Sequence, residues 1–147
     1  MVYVGSWDSK LYAFDASCRN ACQPLWSYTT GDFISSGPSV AGGMVYVGSG
    51  DHKLYAFDAT CYNACQPLWS YVTGDRIGSS PAIAGGMVYV GSGDHKLYAF
   101  DASCYNACQP LWSYTTGGYI DSSPAVADGM VYVGSGDHKL YAFGLTA

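Results

Sequence analysis

Short apolar runs alternate along the chain with clusters of Gly, Ser, Pro and Asp. In "KLYAFDA" Leu54 and Ala56 alternate with Tyr55 and Phe57, the two-residue period of a β-strand. "MVYVGS" is β-branched and aromatic and ends on Gly-Ser; "PLWSYVTG" is a third such run, closed by Gly74. "SSPAIAGG" is a fourth, built of small residues and closed by Gly85-Gly86. Each run is strand-length and bounded by turn formers. None approaches the ~18 apolar residues of a membrane-spanning helix.

The runs recur. "MVYVGS" opens at Met1, Met44, Met87 and Met130, so the copies are 1–43, 44–86, 87–129 and a truncated 130–147. A period of about 40–45 residues carrying four strands is a propeller blade. The expected fold is all-β: one β-propeller domain over 1–147, of four-stranded antiparallel blades, roughly 3.5 per chain. The small-residue strand (a) suits the crowded centre, "MVYVGS" (b) and "KLYAF" (c) the middle, and "PLWSY" (d) the outside. The middle strands can be apolar on both faces because neighbouring blades cover both.

The phase predicts fourteen strands. The chain opens with b, c and d, carries two full sets at about 35–73 and 79–116, and ends with a, b and c. Gly144, where other copies have Asp, reads as a stop. Incomplete end blades expose unpaired strand edges and invite association. Two chains joined head to tail would close an eight-bladed ring; a rotation that does not close would give a filament. A third outcome is an excerpt of a longer propeller, natural or engineered.

Composition narrows the function. With 14 Tyr, 19 Gly, no Glu and 11 Asp, the chain is poor in helix formers. A net charge of −5 argues against nucleic acid and anionic membranes. Met1 enters a repeat directly, so any export signal lies outside these residues.

The "VYVGS-DHKLYAFDA" hairpin followed by a Trp-bearing strand resembles the quinoprotein-type, or PQQ-like, propeller repeat, over nearly the whole chain. The resemblance implies a tryptophan-docking motif between blades. Ala13, Asp15 and Trp26 fit it, as do Ala56, Asp58 and Trp69, and Ala99, Asp101 and Trp112. The family's Thr-Gly is replaced by a longer insert, "CYNACQ". The resemblance does not bring the enzyme with it. A quinone dehydrogenase places a calcium site and a catalytic Asp in long non-repeated loops, and almost none of this sequence is non-repeated. No catalytic residue and no cofactor is expected.

The six cysteines form three pairs, Cys18/Cys22, Cys61/Cys65 and Cys104/Cys108, each in a c–d connection. Four residues apart they are within disulfide reach, which implies an extracellular, cell-surface or periplasmic setting. Zinc would need a second nearby pair; reduced, inert thiols are the other alternative. The b–c turn carries His52, His95 and His138, each after an Asp. One reading is turn chemistry, since Asp and His tolerate left-handed backbone. The other is a ring of imidazoles able to bind metal or sense pH.

Three functions follow. The first is a non-enzymatic scaffold or binding module that partners itself, with a protein or carbohydrate ligand unspecified. The second is a quinone- or metal-dependent oxidoreductase. The third is a role in outer-membrane protein assembly, as in propeller lipoproteins with similar blades; it predicts an acylated N-terminal Cys that these residues lack. Copies 44–86 and 87–129 differ only at residues 60, 72, 75, 76, 78, 83 and 85 and their partners. Such uniformity disfavours one specialised active site.

Overall fold

Residues 1–145, the part of the chain described by the computed structural model, form fourteen β-strands and no helix. β1 (Val2–Gly5), β2 (Lys10–Phe14) and β3 (Trp26–Thr29) make the first sheet; β4 (Ser39–Ala41), β5 (Met44–Gly48), β6 (Lys53–Asp58) and β7 (Trp69–Val72) make the second. The third holds β8 (Ala82–Ala84), β9 (Met87–Gly91), β10 (Lys96–Asp101) and β11 (Trp112–Thr115). The fourth holds β12 (Ala125–Ala127), β13 (Met130–Gly134) and β14 (Leu140–Gly144). Strands lie in chain order and every pairing is antiparallel. The three-four-four-three count and the a-b-c-d order are those expected from the repeat.

Turn chemistry sets the registers. Gly85 and Gly86 have φ of 58° and 76°, so two successive left-handed residues join β8 to β9, as a two-residue hairpin turn requires. Asp128 takes the first of these positions in the last blade, at φ 51°. The turn between β5 and β6 places His52 at φ 74°, and His95, His138 and Ser9 match it at 75°, 69° and 71°.

Both faces of the middle strands are buried. Val45, Val47, Tyr55 and Phe57 pack against Leu11, Ala13 and Trp26 of the first sheet. Tyr46, Leu54, Ala56 and Trp69 pack against Val88, Val90, Tyr98 and Phe100 of the third. The alternation in "KLYAF" therefore assigns Leu and Ala to the following blade and Tyr and Phe to the preceding one. The connection leading into the next blade approaches closely at Gly48, where a β-carbon would run into the side chain of Ile77. Gly91 meets Ile120 in the same way. The small-residue strands lie side by side, β4 against β8 and β8 against β12. The Gly37 amide donates to Ser80 Oγ at 2.7 Å, and the Ser80 amide to Ser123 Oγ at 2.9 Å. Only small side chains leave room for this convergence.

Candidate functional site

The chemistry-bearing residues gather at the junctions between blades. Asp51, in the turn between β5 and β6, accepts from the Tyr55 hydroxyl at 2.6 Å and from the Gly31 amide at 2.7 Å. Gly31 belongs to the connection leading out of the preceding blade, so one carboxylate ties turn, strand and neighbour together. Asp94 repeats this with Tyr98 and Gly74, and Asp137 with Tyr141 and Gly117. Beneath it, Ser49 Oγ donates to Thr30 Oγ1 at 3.1 Å, and Thr30 donates to the Asp32 carbonyl at 2.6 Å. Ser49 and Thr30 are buried, and buried hydroxyls need such partners. Asp94→Ala would leave the buried Tyr98 hydroxyl without its acceptor, at a cost of about 1–3 kcal/mol. Asp94→Asn keeps one carbonyl acceptor and recovers part of the loss. Urea denaturation of the two variants checks the order.

These contacts move proton affinities. Burial first, and then the Asp51 hydrogen bond, push the Tyr55 hydroxyl well above its ordinary range; burial and Asp94 do the same to Tyr98. The Tyr141 hydroxyl holds the Asp137 carboxyl down at about 2. For Tyr55 and Tyr98 the folded state binds the proton more tightly than the unfolded state. The resulting stability is complete below the ordinary tyrosine value near 10 and is lost as pH rises above it. Alkaline titration should thus show exposed tyrosines ionising first. The tyrosinate absorbance of Tyr55 and Tyr98 should appear only together with loss of β-structure by circular dichroism.

The histidines occupy these turns through their backbone. The His52 carbonyl accepts from the Thr73 amide and hydroxyl at 2.8 and 2.9 Å, while its ring lies exposed, 3.9 Å from Asp75. Gly118 replaces that Asp after the third blade. The turns hold His52, His95 and His138 in separate blades, and among the described residues no three His, Cys or Asp side chains converge as a metal-ligand group.

The docking residues meet in part. Ala13 lies across from Trp26, Ala56 from Trp69 and Ala99 from Trp112. Each Trp packs on the Phe of the next blade: Trp26 on Phe57, Trp69 on Phe100 and Trp112 on Phe143, with ring centroids 5.6–5.7 Å apart. Trp69 Nε1 donates to the Cys104 carbonyl, inside the next blade's insert, at 3.2 Å. Trp26 Nε1 is buried without such a partner. Asp15, Asp58 and Asp101 cap their own turns instead, through Ser17, Thr60 and Ser103.

A family model described as "Outer membrane protein assembly factor BamB" (PQQ_2) matches residues 1–61 and 60–146. The chain belongs to this PQQ-repeat family. No curated protein matches it. Among solved structures, BamB from Moraxella catarrhalis superposes with a TM-score of 0.78 at 23% identity, over 97% of this chain and 42% of that one. The computationally designed Ika4 protein superposes with a TM-score of 0.78 at 16% identity, over 98% of this chain and 84% of that one. This PQQ-repeat chain thus spans less than half of the BamB chain it matches.

The three cysteine pairs of the propeller are disulfides, with Cα atoms 5.8–5.9 Å apart. Cys65 and Cys108 are buried under their neighbours, whereas Cys22 of the first blade is exposed. Each closes a very short ring, worth about 2 kcal/mol on the chain-entropy account. Reduction should lower stability by about that much per bridge, measured as the shift of the urea midpoint with and without a thiol reductant.

The same blade faces that are buried inside the chain are bare at its two ends. Val2 and Val4 are 48% and 44% exposed, whereas their counterparts Val45 and Val47 are at 0%. At the other end Leu140 is 74% exposed, against 0% for Leu54 and Leu97. The junction network of Thr30, Ser49 and Asp51 was not singled out by sequence reasoning, although its residues recur as "GSGD" and "TTG" or "VTG" in the copies.

Proposed function

We propose that the chain is a non-enzymatic propeller scaffold that pairs head to tail with a second copy to complete an eight-bladed ring. The observation that carries this is the pair of bare end faces. The first blade offers Val2, Val4, Tyr12 and Phe14, the residue types that Val45, Val47, Tyr55 and Phe57 present to a preceding blade. The last blade offers Tyr132, Leu140 and Ala142, as Tyr46, Leu54 and Ala56 do to a following one. The contact is heterologous, and two copies of four sheets close it at eight blades. The disulfides support an oxidising compartment for this work, extracellular, at the cell surface or periplasmic. Multi-angle light scattering on the eluting chain tests the pairing. Twice the 15.6 kDa of one chain is expected; a stable monomer contradicts it, and so does a mass that grows without limit.

One observation favours a more specific role. The matching family model is described as an outer membrane protein assembly factor. On that reading the scaffold serves outer-membrane protein assembly. Adding the chain to a reconstituted assembly reaction tests it: a faster reaction supports the role, and an unchanged rate contradicts it.

A further inference from the structure

The nearly uniform repeats diverge most in chemistry at one place. Trp7 stands where the other copies have Gly50, Gly93 and Gly136. Phe33, Arg76 and Tyr119 are equivalent positions, and so are Ser35, Gly78 and Asp121. The fold gathers these residues. An open cavity of about 290 Å³ is lined by Trp7, Phe33, Ser35, Arg76, Gly78 and Asp121. Asp121 also borders a second cavity of about 210 Å³, beside Tyr119. The two make a groove with an aromatic pair at one end, Trp7 and Phe33 with centroids 5.5 Å apart. Arg76 and Asp121 lie between, 3.4 Å apart, and Tyr119 stands at the far end.

These side chains are only partly covered by their packing partners, Phe33 for Trp7 and Gly136 for Tyr119. Trp7 is 79% exposed and Tyr119 54%. Glycine serves at the position of Trp7 in the other blades because the preceding loop crosses it: a β-carbon on Gly136 would strike the Tyr119 ring.

The chemistry of the groove selects among ligands. An extended peptide would need free backbone partners, yet the Gly50 amide is bonded to the Phe33 carbonyl, Gly93 to Arg76 and Gly136 to Tyr119. A polyanion is opposed by the net charge of −5. Exposed rings supply flat apolar platforms with few rotors to order. The guanidinium and the carboxylate between them supply planar donors and acceptors in pairs, suited to adjacent hydroxyls. A sugar ring offers an apolar face and such hydroxyls, and the two platforms call for at least two rings. We propose that this groove binds a neutral oligosaccharide chain, laid across Trp7 with Phe33 at one end and Tyr119 at the other, and hydrogen-bonded to Arg76 and Asp121.

The test titrates the full chain with maltohexaose, cellohexaose and the hexamer of N-acetylglucosamine, by calorimetry and by tryptophan fluorescence. Trp26 and Trp69 are buried but Trp112 is only half-buried, so the spectral change is assigned to Trp7 in a Trp112→Phe background. At least one hexamer should bind, and Trp7→Ala and Asp121→Ala should each weaken it about ten-fold or more. Circular dichroism of both variants and the assembly mass of Asp121→Ala should be unchanged, so a failed ring and a failed groove give different results. Absence of binding at about 10 mM of every hexamer overturns the proposal. It is overturned equally by binding that both variants retain, or by a random-peptide pool binding at these residues where the sugars do not.

Discussion

Leu140→Asp is expected to leave the chain folded but monomeric. Leu140 projects from the open face of the last blade, where its counterparts Leu11, Leu54 and Leu97 are fully buried against the next blade. Burying a leucine contributes about 1.5–3 kcal/mol, and an aspartate there must also enter the junction without a counter-charge. A combined loss of about 4 kcal/mol weakens association roughly a thousand-fold. The isolated fold changes little, because a substitution at an exposed site stays within about 0.5 kcal/mol. Sedimentation at micromolar concentration reads the outcome. A variant that keeps the mass of the unaltered assembly would show that this face is not the contact.

The second large effect is on stability. Phe100→Ala is expected to cost about 3–5 kcal/mol, a large part of the 5–15 kcal/mol that typically holds a domain together. Phe100 is fully buried, 5.6 Å from the Trp69 ring and 5.3 Å from the Tyr71 ring. Those two rings come from the preceding blade, so the cavity would open at a blade junction and loosen both sheets. Phe14→Ala, at the equivalent place on the first blade, should cost the isolated chain less, because Phe14 is only half-buried there. Urea unfolding of both variants at matched concentration checks the difference. Equal losses would mean that the junction contacts do not carry the stability.

The strands and their order were legible because strand propensity, alternation and turn chemistry are local. "KLYAF" also announces neighbours on both sides, since an isolated sheet could not bury Leu54 and Phe57 on opposite faces. The Asp-His turn was legible as a left-handed turn, which His52 adopts at φ 74°. Its other duty, joining Gly31 to Tyr55 through Asp51, depends on a partner twenty residues back that no local pattern indicates. The acceptor for Trp69 is the backbone carbonyl of Cys104, and backbone atoms leave no trace in residue identity. The groove was hidden differently. Residues 76 and 78 appear as two scattered changes in a uniform repeat until the loops bring Arg76, Gly78 and Asp121 together beside Trp7.

The central claim is that two copies of this four-sheet chain close on each other. Electron-microscopy class averages of the purified chain show the blades directly in face-on views. A closed ring of eight blades, twice the four sheets of one chain, is the predicted result. Isolated half-rings, or open spirals that lengthen with concentration, would contradict it.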